Sequence, residues 1–114
     1  MVVEIVEFAL RPGTDLAGAL LLYQQSAPVW ADCPDLIEKY YTFDQATGLG
    51  GGVYVWKDIV AQRRWHGPDY VTVIRERYGA EPKIRVMDAV LHVDRRGHMQ
   101  MGALEAVAPQ DSKP

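Results

Sequence analysis

The sequence has only one cysteine, Cys33, among its 114 residues. A single thiol excludes an internal disulfide and a zinc site built from several cysteines. The three histidines are dispersed and form no pair at metal-binding spacing, so the sequence predicts no bound metal. Nothing matches the glycine fingerprints of flavin or nicotinamide sites, because the run Gly50-Gly51-Gly52 leads into a strand instead of opening a helix. We therefore expect no cofactor.

An excess of positive charge and long apolar runs are also missing. The formal net charge is −3 and the pI is about 5.5, which does not favour a nucleic acid or an anionic membrane as partner. The longest apolar run, residues 17–23, is far too short to span a bilayer. The N-terminus enters a strand-like segment without a basic leader, and we expect a cytoplasmic protein.

The apolar pattern predicts one domain with the order strand, helix, strand, strand, helix, strand. This is the ferredoxin-like βαββαβ arrangement of the α+β class, an antiparallel sheet with two helices on one face. The domain is expected over residues 1–94, followed by a C-terminal tail, 95–114. The predicted strands are Val2–Leu10, Leu36–Phe43, Val53–Trp56 and Lys83–Asp94, and residues 44–52 are expected to form a hairpin connection.

Both predicted helices are interrupted by proline. The first opens at Thr14-Asp15 and should be kinked or restarted at Pro28. Its buried face is expected to carry Leu16, Leu20, Tyr23 and Ala27. The second helix is capped by Asp58, broken at Gly67-Pro68 and ended by Gly79 in the left-handed conformation.

The strands carry apolar side chains on both faces of the predicted sheet. One set comprises Val3, Ile5, Val53 and Val55, and the other comprises Val6, Phe8, Tyr54 and Trp56. Two helices can cover only one face, and a second apolar face of that size is unusual on a monomer. The sequence therefore predicts a homodimer formed through the sheet.

The run GGVYVWKD, followed by a helix and then RERYGAEPKIRVMDAVLHVD, resembles small monooxygenase-like proteins of the dimeric α+β barrel superfamily. These are relatives of the YdhR-type and antibiotic-biosynthesis monooxygenases, and the resemblance covers residues 2–94. It implies a dimeric barrel and a cofactor-independent monooxygenase acting on a small hydrophobic, aromatic or polyketide-like substrate. The sequence has no asparagine, the side chain with which several members hold substrate or an oxygen species. That role cannot be transferred here.

The residues that could serve such chemistry cluster around the predicted helix break. We expect His66 to act as base and Tyr54 or Tyr40 to donate a hydrogen bond to a developing anion. The predicted substrate-binding residues are Trp30, Tyr40, Trp56, Trp65 and Tyr70. Alternatively, His66 satisfies carbonyls at a helix end and the aromatics fill the core.

The sequence alone leaves three functions open. Besides an oxygenase, the same pocket suits a cyclase or isomerase that works without oxygen, or a non-catalytic dimer that binds a small ligand. If haem were bound, His66 or His92 would be its ligand. In each case the pocket should lie inside one subunit, between the sheet and the helices, with its mouth near Gly67-Pro68.

Overall fold

A computed structural model describes residues 1–95 and 99–101 of the chain. Its strands are β1 (Val2–Ala9), β2 (Leu36–Asp44), β3 (Leu49–Trp56), β4 (Lys83–Asp88), β5 (Leu91–Val93) and β6 (Met99–Met101). The helices are α1 (Leu16–Ala31), α2 (Ile59–Trp65) and α3 (Tyr70–Tyr78). No helix in these residues is long and apolar enough to cross a membrane.

The four long strands form one antiparallel sheet in the order β2-β3-β1-β4, which confirms the ferredoxin-like α+β fold. The predicted last strand is in fact two, since β4 ends at Asp88 and β5 pairs separately with β6. Part of the predicted tail is therefore a strand, and most of the remainder lies outside the described residues.

Buried and more exposed side chains alternate along β1 and show which face of the sheet the helices cover. Val2, Val6 and Phe8 are buried on the inner face, whereas Ile5 on the outer face is 38% exposed. On β3 the inner face carries Tyr54 and Trp56, which are 4% and 0% exposed. The large aromatic side chains thus lie between the sheet and the helices, where the candidate site is found.

The glycine run belongs to strand β3, not to the connection before it as predicted. Gly51 has φ of 151°, and a Cβ there would lie 1.9 Å from the Val6 carbonyl oxygen. A Cβ on Gly50 would lie 2.2 Å from the Tyr23 hydroxyl. That hydroxyl donates to the Thr42 carbonyl at 2.8 Å and accepts from the Gly51 amide at 3.1 Å. The glycines let α1 bond directly to the sheet backbone.

Helix α1 buries Tyr23 as predicted, but it does not bury the leucines that were predicted on the same face. Ala19, Tyr23 and Ser26 are the buried residues, whereas Leu16 and Leu20 are 56% and 55% exposed. Small side chains on either side of Tyr23 allow a close approach to the sheet, so the bulky leucines are turned outward. The helix also continues through Pro28 to Ala31 instead of restarting there.

The second helical region is divided as predicted into α2 and α3. The Asp58 carboxylate caps α2 by accepting from the Ala61 amide at 2.7 Å. Gly79 ends α3 with φ of 86°, a left-handed cap. The break between the helices places His66 at the C-terminal end of α2.

Candidate functional site

A buried carboxylate, Glu4, lies at the centre of the inner sheet face. It is 0% exposed and follows the alternation that also buries Val2 and Val6. Its Oε1 accepts from Trp56 Nε1 at 2.9 Å, and its Oε2 accepts from Gln62 Nε2 at 3.1 Å. Both donors can only donate, so both carboxylate oxygens act as acceptors. A buried carboxylate whose two oxygens both accept hydrogen bonds is a polar site within the apolar core.

The third partner of Glu4 is His66, whose Nδ1 lies 2.7 Å from Glu4 Oε1. Because that oxygen accepts, Nδ1 carries the proton and Nε2 of the neutral ring carries a lone pair. Nε2 is buried and has no hydrogen-bond partner among the described residues. Burial lowers the pKa of His66, and the bond to Glu4 opposes that shift. The imidazole is thus an oriented acceptor with an unused lone pair.

Aromatic rings enclose the imidazole on several sides. Tyr70 stacks on it with ring centroids 3.5 Å apart and an interplanar angle of 13°. Tyr54, Trp56 and Trp30 approach edge-to-face at 4.5, 5.2 and 5.5 Å. This enclosure excludes water from the Glu4–His66 pair and strengthens its electrostatics.

Two tyrosine hydroxyls form the next polar group of the site. The Tyr54 and Tyr70 hydroxyl oxygens lie 3.2 Å apart, within hydrogen-bond distance. Burial raises the pKa of both groups above that of free tyrosine. Both phenols therefore stay protonated at physiological pH, and at least one of them can donate to a ligand.

A cavity of about 500 Å³ lies in front of these tyrosines, between the sheet and the helices. Gly67 and Pro68 line it, so the cavity lies where the helix break predicted it. Its walls include Trp30, Tyr54, Trp65 and Tyr70. His66 does not line the cavity; its imidazole stacks on the ring of Tyr70, which does.

Asp35 fixes the tryptophan at the rim of the cavity. Its Oδ2 accepts from Trp65 Nε1 at 3.0 Å and from Arg64 at 2.5 Å, and Lys57 lies 2.6 Å from Oδ1. The bonds from Lys57 and then Trp65 lower the pKa of Asp35 to about 2. This short network orients an indole that is otherwise 36% exposed.

Six of the seven predicted site residues gather in one region: Trp30, Tyr54, Trp56, Trp65, His66 and Tyr70. Trp56 lies beneath the cavity rather than along it, as the donor to Glu4. The seventh, Tyr40, lies elsewhere: it is 57% exposed and its hydroxyl donates to Glu38 at 2.7 Å.

The alternation of side chains along β2 places Tyr40 on the outer face of the sheet, away from the site. The residue opposite Tyr40 is Val53, on the outer face, whereas Lys39 is opposite Tyr54 on the inner face. Tyr40 therefore cannot reach the cavity of its own subunit, which corrects its prediction as an alternative hydrogen-bond donor and substrate-binding residue. His92 lies exposed on β5, and His98 lies outside the described residues.

The sequence prediction overlooked the charged members of the site. Glu4 and Lys39 were placed on strands but given no role, and Asp35 and Gln62 were not singled out. A usable signal existed for two of them, since an acid in phase with Val2 and Val6, and a lysine in phase with Tyr41, must enter the core. For Asp35 and Gln62 no sequence signal stands out.

The donor set does not favour a metal. Within residues 1–95 and 99–101, no three side chains of histidine, cysteine, aspartate or glutamate come together as metal ligands. Glu4 and His66 are already bonded to each other, and the rest of their surroundings is aromatic or amide.

Comparison with solved structures confirms the fold. The chain is similar to an antibiotic biosynthesis monooxygenase, with a TM-score of 0.61 and 20% identity over 79% of this chain and 99% of that one. It is similar to SnoaB, a cofactor-independent oxygenase from Streptomyces nogalater, with a TM-score of 0.58 and 15% identity over 77% and 91% of the two chains.

The same fold is found in NE2512, a protein of unknown function from Nitrosomonas europaea, with a TM-score of 0.60 and 10% identity over 75% and 85% of the chains. No family model matches the sequence, and neither does any curated protein. The chain therefore has the fold of the antibiotic biosynthesis monooxygenases, as the resemblance implied. At these identities the likeness concerns the fold alone.

Proposed function

We propose that this protein is a cofactor-independent monooxygenase for a small hydrophobic substrate, aromatic or polyketide-like. The observation that carries the proposal is the buried Glu4–His66 pair with its unused Nε2 lone pair, next to a cavity with aromatic walls. A base held in a dry site is what oxygenation without a cofactor requires, because the deprotonated substrate itself reduces oxygen. The fold shared with SnoaB, named as a cofactor-independent oxygenase, supports the same chemistry.

In this proposal His66 removes a proton from an activated carbon or phenol of the substrate. Glu4 accepts from Nδ1 and stabilises the imidazolium that forms, so Glu4 acts as a positioning residue. Since Nε2 is buried and His66 does not line the cavity, a substrate meets Nε2 only after a local movement of the cavity wall. Tyr70 is the first residue of α3, next to the Gly67-Pro68 break, where a local movement is possible.

The resulting carbanion transfers electrons to molecular oxygen and forms a carbon–oxygen bond. A substrate CH₂ group then becomes C=O, one oxygen atom enters the product and the other leaves as water. Both electron pairs that reduce oxygen come from the substrate, so no external reductant is consumed. Protonated Tyr54 donates a hydrogen bond to the developing oxyanion at the cavity wall.

The position of His66 behind the cavity wall also favours a second candidate. If the cavity wall does not move, Nε2 never meets a ligand, and the site binds a small molecule without reacting with it. A cyclase or isomerase would use the same base but would form product without oxygen.

A homodimer is the second part of the proposal. Val3 lies opposite Val55 and Ile5 lies opposite Val53, so these four side chains form one apolar patch on the outer sheet face. Ile5 is 38% exposed, and Leu91 and Val93 on β5 are each 57% exposed. Pairing two outer faces would bury the patch formed by Val3, Ile5, Val53 and Val55.

Oxygen uptake tests the catalytic part. Purified, metal-stripped protein is mixed with a panel of hydroxyanthrones and hydroquinones in an oxygen electrode, without flavin. We expect uptake above the spontaneous rate with at least one compound, abolished in His66→Gln and kept in Tyr40→Phe. Uptake equal to that of protein-free buffer across the panel, with ligand binding intact, would favour the binding protein instead.

A further inference from the structure

We propose that the cavity binds a planar aromatic compound carrying a negative charge, and that the Lys39 ammonium group, supported by Arg77, recognises that charge. The inference rests on the cavity of the proposed function but not on its chemistry. It therefore narrows the ligand to an aromatic carboxylate or a comparably acidic phenol or enol.

Lys39 is held among aromatic faces on the inner side of β2. Its Nζ lies 3.8 Å from the centroid of Tyr41, 4.4 Å from Tyr54 and 4.6 Å from Trp30. The residue is half-buried and lines the cavity. Among the described residues Lys39 has no hydrogen bond or ion pair, so the three rings are its contacts.

Aromatic faces alone compensate poorly for burying an ammonium group. Each cation–π contact offsets only part of the free energy lost when an ammonium group is removed from water. Glu4 is the acid that acts on Lys39 electrostatically, but its two oxygens already accept from Trp56, Gln62 and His66. Lys39 forms no ion pair with a carboxylate among the described residues, and a ligand anion would supply that partner.

The lining of the cavity is strongly cationic for a protein of net charge −3. Four lining residues are basic and one is acidic: Lys39, Arg63, Arg64, Arg77 and Asp69. Of the four, Arg64 is paired with Asp35, outside the lining set. Arg63 and Arg77 remain against the single carboxylate of Asp69, and protonated Lys39 adds a third positive charge, so the cavity attracts anions.

The walls determine the shape of the ligand. Trp30, Trp65, Tyr54 and Tyr70 line the cavity, and a flat ring can stack among them. A cavity of about 500 Å³ admits a molecule of two or three fused rings. Together with the charge, this defines an aromatic anion.

Protonation of Lys39 should be coupled to binding. Burial lowers the pKa of Lys39 to about 7, Glu4 opposes this shift and Arg77 adds to it. An anion next to Nζ favours the charged form, so binding at pH 8 draws a proton from solution and weakens as the pH rises. Five titratable or charged groups act on Lys39: the rings of Tyr41 and Tyr54 contact its Nζ, and Glu4, His66 and Arg77 act on it electrostatically.

The test compares 2-naphthoate with 2-naphthamide, which has the same rings and no charge. Calorimetry with wild-type protein should give binding of the acid at least about tenfold tighter than that of the amide. At pH 8 the heat should vary with the ionisation enthalpy of the buffer and report proton uptake. Lys39→Met and Lys39→Gln should bring the two affinities within about threefold, and Arg77→Gln should reduce the preference partially.

Arg75→Gln is the matched control, because it removes a charge from the same helix but from an arginine bonded to Glu81. Arg75→Gln should keep the full preference for 2-naphthoate over 2-naphthamide. Equal binding of acid and amide, no binding of either, or an unchanged preference in a folded Lys39→Met would overturn the inference. If the preference is present and oxygen uptake is absent, the inference stands and the proposed oxygenase fails.

Discussion

Glu4 Oε1 and His66 Nδ1 lie 2.7 Å apart although the two residues are 62 positions apart in the sequence. Strand β1 supplies the carboxylate and the C-terminal end of α2 supplies the imidazole, so the contact ties the first strand to the helix break. Removing either partner should therefore affect both stability and function.

Glu4→Gln should lower the free energy of unfolding by roughly 3 kcal/mol, because an amide nitrogen would face donors that now find two acceptors. Chemical denaturation measures the loss. Glu7→Gln, an exposed position on the opposite face of the same strand, is the control and should change little. Equal stabilities of the two variants would show that the Glu4 network contributes nothing to folding.

His66 should make the protein less stable in mild acid. Its pKa is lowered in the folded state, so the unfolded chain takes up this proton at higher pH, and stability falls as the pH decreases through about 6.5. Denaturation at pH 7.5 and 5.5 should show a larger loss for wild type than for His66→Gln, which keeps a donor for Glu4. Parallel losses would contradict the buried, neutral imidazole.

Tyr54→Phe should lower kcat by on the order of 10² while changing KM little, because a donor to the developing anion is removed. Tyr40→Phe also removes a phenolic hydroxyl, but from the other face of the sheet, and should keep wild-type rates. The comparison is made on any substrate that supports oxygen uptake. A Tyr54→Phe enzyme as active as Tyr40→Phe would remove Tyr54 from the mechanism.

Asp35→Asn should loosen Trp65 and lower Tm at pH 7, since the carboxylate holds the indole, Arg64 and Lys57. Asp35 has its pKa lowered to about 2, so its contribution is full above about pH 4 and disappears as the pH falls toward 2. Acrylamide should quench tryptophan emission more strongly in the variant at pH 7. Unchanged quenching, or a difference in Tm that persists at pH 2, would argue against this network.

Ile5→Lys should separate the proposed dimer, because it places a charge in the apolar patch of the outer sheet face. Leu21→Lys on α1, where the leucine is 65% exposed, is the matched control. Light scattering at micromolar concentration should give twice the chain mass for wild type and control and the chain mass for Ile5→Lys. Obligate interfaces usually bury more than ~2,000 Å², so a monomeric wild type would reject the dimer.

The element order and the divided second helix could be predicted because they depend on local signals: alternation, the Asp58 cap and the Gly67-Pro68 break. Among the aromatic members of the site, Tyr54 and Trp56 followed from the alternation of β3, and Trp65 and Tyr70 followed from the helix break. The face of α1 was predicted only in part: Tyr23 is buried, but Leu16 and Leu20 are exposed, because close contact between Tyr23 and the glycines of β3 requires small neighbours.

The charged part of the site depends on contacts distant in sequence. The partners of Glu4 lie 52, 58 and 62 residues away, and no local pattern links them. Tyr40 shows the related difficulty, since a side chain on a strand can be assigned to a face only when the register with its neighbour is known.

Incorporation of labelled oxygen tests the central claim most directly. Metal-stripped protein is given the best substrate of the panel under ¹⁸O₂, and the product is analysed by mass spectrometry alongside oxygen uptake. The account predicts one ¹⁸O atom in each product molecule, one O₂ consumed per product, and loss of both in His66→Gln. Product that forms equally well without oxygen, or that takes its oxygen from labelled water, would contradict it.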